Sequence, residues 1–176
     1  MKQRKFSPVV KVVLFQLVYV VLHFLYDWAP NGLTTIVSGI NESVYQHLKV
    51  SFFSYIPVIL IEYLWLRQSL PSLKRFLTAR LFTLVFMPWV MMTFFLFSPL
   101  VFGKIESIPG EILFANAALL CTFVCSLVAE HHVEKAEPGR GLIAVLSILG
   151  LLILIQFVVF TNRLPWFDIF ATPPGW

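Results

Sequence analysis

Five apolar stretches, each close to the roughly 20 residues that a helix needs to cross a bilayer, constrain this chain more than any other feature. They run from about Pro8 to Asp27, His47 to Leu66, Leu81 to Phe102, Ile112 to Ala129 and Gly141 to Thr161. Period-2 alternation is absent, which argues against a β-barrel. The expected fold is all-α: one transmembrane domain over residues 1–176, built as a bundle of five membrane-spanning helices. Composition agrees. The chain is 59% hydrophobic and 12% charged, against about 25% charged in soluble domains. So little charge cannot cover a water-facing surface, and nucleic acid is excluded as a partner because no basic face exists. The expected partner is the lipid bilayer, and the expected location is the cell membrane as a multi-pass protein.

Orientation follows from the cations. With the N-terminus inside, ten of the 13 Lys and Arg residues fall on the inner side. Only Lys49, Lys104 and Arg163 fall outside, so the C-terminus is expected outside. The basic start, Met1-Lys2-Gln3-Arg4-Lys5, resembles a signal peptide. Its apolar run is too long and no small-residue cleavage site follows, so a retained helix is expected. Residues 67–80 and 130–140 read as charged inner loops. Residues 28–46 read as an outer loop, with a turn at Pro30-Asn31-Gly32 and a helix start capped by Asn41.

Ionisable residues at membrane depth are costly and need a partner or a task. Gln16, Tyr19, His23 and Asp27 share one face of the first span, within about 80° of arc. His23 and Asp27 are an i, i+4 pair. His47 opens the second span, and Glu42 lies at the same level. The candidate catalytic and metal-ligating set is therefore His23, Asp27, Glu42 and His47, with Asn41, Ser43, Lys49 and Glu62 as candidate substrate-binding residues. Two histidines and two carboxylates suit a divalent metal such as zinc, and a His–Asp pair suits general-base work without one. Arg163 and Asp168 of the tail are placed to close over the cluster. A bland reading competes: His23 and Asp27 tie helices together, and Asn41 and Glu42 cap a helix. Glu62, about four turns deeper than His47, is expected to pair with a neighbouring Ser, Tyr or Lys. Asn116 and Gln156 read as interhelical glue, Cys121 and Cys125 as helix packing, and His131-His132 as a solvated connector.

The runs His23-Phe-Leu-Tyr-Asp27-Trp28 and Asn41-Glu42-Ser43-Val-Tyr-Gln-His47-Leu-Lys49 resemble a bacterial family of small multi-spanning membrane proteins with no assigned activity. That family carries an H-x-x-Y-[DE]-W end to its first helix, an N-E-S-x-x-[EQ]-H-x-K segment and a Pro-rich tail. The resemblance marks the residues that topology groups and implies no reaction. The late H-x-x-x-H of ceramidase-like hydrolases and the G-x-S-x-G of intramembrane serine proteases are absent, which weighs against an enzyme of either type. Three readings follow: a metal-dependent or acid–base site for a small or lipid-derived substrate, a small-solute transporter or transporter subunit with a polar path through Gln16, Tyr19, Ser51, Ser54 and Glu62, and a structural or regulatory partner of other membrane proteins.

Overall fold

The computed structural model describes residues 5–103, 105, 107–163, 165, 171 and 172. Its six helices are α1 (Pro8–Trp28), α2 (Gly32–Val37), α3 (Val44–Leu66), α4 (Leu73–Phe102), α5 (Ile108–Lys135) and α6 (Arg140–Asn162). No strand occurs among the described residues. All but α2 are long and apolar enough to span a membrane, with mean hydropathy from 1.4 to 3.0 over their best windows. The protein is thus an all-helical bundle with five candidate membrane spans.

Local chemistry sets the helix ends. Pro8 opens α1, where its missing N–H costs nothing. Asn31 caps α2: its side chain accepts from the Leu33 and Thr34 amides, and the Thr34 hydroxyl accepts from the Asn31 N–H. The expected turn at Pro30–Gly32 is therefore a helix start. Asn41 was expected to cap α3, but Ser43 does so, accepting from the Gln46 amide. Asn41 instead accepts from the Ser43 N–H at 3.0 Å, a short side-chain turn that leads into the cap.

Two expected loops, 67–80 and 130–140, are partly helical, with 67–72 and 136–139 as the connections. α4 begins at Leu73, capped by Ser72, so Lys74, Arg75 and Arg80 lie on it. α5 continues through Glu130-His131-His132 to Lys135. Charge marks where a chain leaves hydrocarbon, not where a helix stops, since Lys, Arg and Glu are good helix formers. At 1.5 Å per residue, the 30 residues of α4 reach about 45 Å, well beyond a roughly 30 Å hydrocarbon core.

α3 is the central helix: half of its apolar window is buried, against 17% for α1 and α6. It packs between α1 and α4, α5 packs on α4 and α1, and α6 packs on α4. The core is layered. Along α1, Lys11, Phe15, Tyr19 and His23 recur every four residues and so form one inward stripe. Phe15 stacks on Phe123 of α5 at 3.9 Å between ring centroids, and Tyr55 of α3 meets both rings edge-on. With Val58, Met87 and Met91, all fully buried, these rings make an apolar layer across the middle of the bundle. One polar cluster lies above this layer, at the His23 end, and another below it, at the Lys11 end.

Candidate metal centre

His23 sits near the C-terminus of α1, His47 in the first turn of α3, and Glu42 on the linker between α2 and α3. Short-range contacts hold the linker against α1. The buried Ser38 hydroxyl donates to the Leu22 carbonyl at 2.5 Å and accepts from the Tyr26 amide at 2.9 Å. Gly39 then passes over His23 so closely that a Cβ there would meet the His23 carbonyl oxygen at 3.3 Å and Nδ1 at 3.4 Å. Three residues on, Glu42 arrives between the two imidazoles.

His23 Nε2 lies 3.3 Å from Glu42 Oε1, and His47 Nε2 lies 3.4 Å from Glu42 Oε2. The imidazoles stack with centroids 5.3 Å apart and planes 17° from parallel. One donor atom from each residue falls within 4.8 Å of the others. These separations exceed the usual 2.7–3.2 Å of N–H···O bonds. The two N···O separations, each to a different oxygen of Glu42, are close to the roughly 3.3 Å between donor atoms of a tetrahedral ion with ligand bonds of about 2.0–2.1 Å. Two histidines and one carboxylate are the donor set of several catalytic zinc sites, in which the fourth position stays open.

Two further contacts orient the rings. The Tyr19 hydroxyl lies 2.8 Å from His47 Nδ1, so Nε2 is the nitrogen turned toward Glu42. His23 is held by stacking on Tyr19, while its buried Nδ1 makes no hydrogen bond among the described residues. The His23 imidazole, and after it the His47 imidazole, hold the Glu42 carboxyl well below the usual carboxylate range, outweighing the opposing effect of burial.

The other candidate residues lie elsewhere. Asp27 is exposed and forms no ion pair or hydrogen bond with His23, because the α1 stripe rotates away from the linker after one further turn. Asn41 and Ser43 are engaged in capping α3. Lys49, two residues beyond His47 and so on the opposite face of α3, is buried and donates to the Thr35 carbonyl at 2.9 Å and to Thr161 Oγ1 at 3.1 Å. It joins α2 and α6 to α3 and does not face the cluster. Asp168 lies outside the described residues, and Arg163 makes no ion pair among them. Asn116 donates to the Ile112 carbonyl of its own helix, not to a neighbouring one. Cys121 and Cys125 are exposed on the helix surface. Tyr19, absent from the expected catalytic set, touches His47 directly. Its i, i+4 spacing from His23 was the available signal.

Glu62 belongs to the second cluster. Its carboxylate lies 2.6 Å from Lys11 Nζ and 2.5 Å from Arg80 Nη2. Lys11 also bonds Glu130 Oε1 at 2.5 Å, Thr83 donates to Glu130 Oε2 at 2.8 Å, and Tyr55 donates to the same oxygen. Arg80 reaches Glu134 as well. The expectation of a Lys partner for Glu62 holds, and Arg80 adds a second. Lys11 and Arg80 read as topology signals and Glu130 as part of a solvated loop, yet all three are buried. Arg80 and Glu130 are taken inward by helices that continue past their apolar runs, and Lys11 by the inward stripe of α1.

A cavity of about 730 Å³ adjoins the first cluster. Tyr19, His23, Glu42 and His47 form its polar end, and Phe95, Pro99, Phe114 and Leu119 are among its apolar walls.

The sequence matches the model of a family of unknown function, DUF6512, over residues 1–173. Neither the curated proteins nor the solved structures give a match.

Proposed function

This chain belongs to DUF6512, and we propose that it is a membrane protein whose His23, His47 and Glu42 hold a divalent ion such as zinc and act on a small or lipid-derived substrate in the adjoining cavity. The observation that carries this reading is the approach of two Nε2 atoms to one carboxylate at 3.3 and 3.4 Å, at one end of a mostly apolar cavity. A bound ion would polarise a carbonyl or phosphoryl oxygen and lower the pKa of a coordinated water. The residues supply the rest. Tyr19 orients His47, the Ser38–Gly39 turn positions His23, and Glu42 contributes the anionic donor.

The cation distribution supports a cytoplasmic N-terminus in the cell membrane, with this site toward the outer leaflet. Setting aside the buried Lys11 and Arg80 leaves eight of the ten inner cations. Setting aside Lys49 leaves two of the three outer ones. The apolar layer of Phe15, Tyr55 and Phe123 separates the two polar clusters. It interrupts the polar path that a transporter needs, which favours a one-sided site.

Elemental analysis of the purified protein tests the proposal. About one zinc or similar ion per chain is expected, with strong loss in His23→Ala, His47→Ala and Glu42→Gln. A wild-type protein that takes up no divalent ion when supplied with it would overturn the metal reading.

A further inference from the structure

We propose that Lys49, which does not face the His23–Glu42–His47 site, is nonetheless a positioning residue for it. By clasping α2 to the C-terminal end of α6, it seats the strap that carries Glu42. This role rests on the reading of that site as an ion centre, and it names the element that sets the site's affinity.

The three donors are not held alike. His23 stands on α1 and His47 on α3, two long helices packed on each other. Their imidazoles are fixed by that packing and by their own stack. Glu42 stands on residues 38–43, the non-helical strap between α2 and α3. The carboxylate goes where the strap goes. The strap leaves α2, a helix of six residues, too short to persist without neighbours that hold it. Whatever fastens α2 therefore bears on Glu42.

Lys49 is that fastening. Its side chain is fully buried. It donates to the Thr35 carbonyl at 2.9 Å and to Thr161 Oγ1 at 3.1 Å. Thr35 lies in the last turn of α2, where helix carbonyls run out of amide partners and a cation is favoured. It stands three residues before Ser38, where the strap begins. Thr161 lies one residue before the end of α6, and its hydroxyl is anchored in turn on the Phe157 carbonyl at 2.7 Å. Burying a lysine among membrane helices is costly, and a methionine would fill similar space without that cost. What the ammonium adds is two directed bonds to two different helices. Its effect has a definite direction. Lys49 lies two residues from His47 and about 200° around α3, so loss of its bonds frees α2 without turning His47. The carboxylate shifts and the imidazole pair stays.

The test compares full-length wild type, Lys49→Met, Glu42→Gln and the double variant in detergent. Zinc affinity is measured by chelator competition, and amide hydrogen exchange is followed on the metal-free proteins. Lys49→Met is expected to bind zinc about tenfold more weakly, the scale of a lost outer partner of a metal site. Because Lys49 acts through Glu42, the double variant should bind no more weakly than Glu42→Gln alone. Without metal, residues 32–43 should exchange faster in Lys49→Met, while α1 around His23 and α3 around His47 keep their protection. A double variant weakened by the full sum of the two losses would overturn the proposal, as would exchange that rises evenly over all helices. If Lys49→Met does not fold, Thr161→Val and Thr161→Ser give the same comparison. The valine keeps the shape and lacks the acceptor, so it should reproduce the loss, and the serine should keep most of the wild-type affinity. Zinc uptake that is equal in wild type and Lys49→Met defeats the proposal and leaves the ion reading standing. A wild type that takes up no ion, with faster exchange confined to 32–43 in Lys49→Met, does the reverse: the ion centre falls and the seating of the strap by Lys49 stands.

Discussion

Tyr19 of α1 and His47 of α3 are joined by a 2.8 Å contact between the tyrosine hydroxyl and Nδ1, and this contact determines which imidazole nitrogen faces Glu42. A ligating histidine depends on such a partner for both its tautomer and its ring orientation. Tyr19→Phe removes the hydroxyl and keeps the ring that stacks on His23. Zinc affinity, measured by chelator competition, is expected to fall about 10- to 100-fold while the thermal transition of the metal-free protein shifts little. An unchanged affinity would show that the hydroxyl has no part in orienting His47.

Gly39→Val tests the linker's hold on His23. Even a Cβ meets His23 at 3.3 and 3.4 Å, and a branched side chain cannot fit without displacing the ring or the turn. Metal content should fall although no donor atom is altered. Retention of full metal binding would mean that the Ser38–Gly39 turn relaxes freely around His23.

Glu42 gives the site a definite pH dependence. Its folded pKa is depressed, so its contribution to stability is fully present above the unfolded value of 4.5 and is lost as pH falls toward the folded value. The difference in melting temperature between wild type and Glu42→Gln is therefore expected to be largest near neutral pH and to shrink below about pH 4.5. A difference that grows on acidification would contradict the carboxylate's role as the stabilised anion between two imidazoles.

The Lys11–Glu62–Arg80–Glu130 cluster predicts a strong asymmetry between single and paired substitutions. Lys11→Met leaves the carboxylates of Glu62 and Glu130 short of a cation in a buried setting. A loss of about 3–5 kcal/mol is expected for such an uncompensated charge. Adding Glu130→Gln to Lys11→Met should restore part of it, because the orphaned charge is removed as well. Melting in detergent measures both, and an additive double variant would argue against coupling.

The two clusters were unequally legible in the sequence. His23, Glu42 and His47 stood out because ionisable residues beside long apolar runs are few, and because the order of the spans put all three at one depth. Asp27 shared that pattern and is nonetheless exposed, since periodicity assigns a face within a helix but not the path of the neighbouring linker. The Lys11 cluster was hidden for a different reason. Arg80 and Glu130 occupy segments rich in charge, which read as loops by composition alone. Both helices run on through those segments and turn these two side chains inward.

The sequence by itself determined the environment and the material: five helices long and apolar enough to span a bilayer, with a scarcity of charge that makes each remaining ionisable group conspicuous. Those properties follow from residue type and spacing, which are local. Which charges meet was decided only by the tertiary structure. The Glu42 carboxylate reaches both histidines because Ser38 and Gly39 hold a non-helical linker against α1. Lys49, two residues from His47, points to α2 and α6 because 200° of helix separates the two side chains. Four helices bring their buried charges to one level: Lys11 and Glu62 lie within the apolar runs of α1 and α3, and α4 and α5 continue beyond theirs to carry Arg80 and Glu130 to the same depth. Contacts between segments distant in sequence depend on packing and linker geometry, and no periodicity within one segment encodes them.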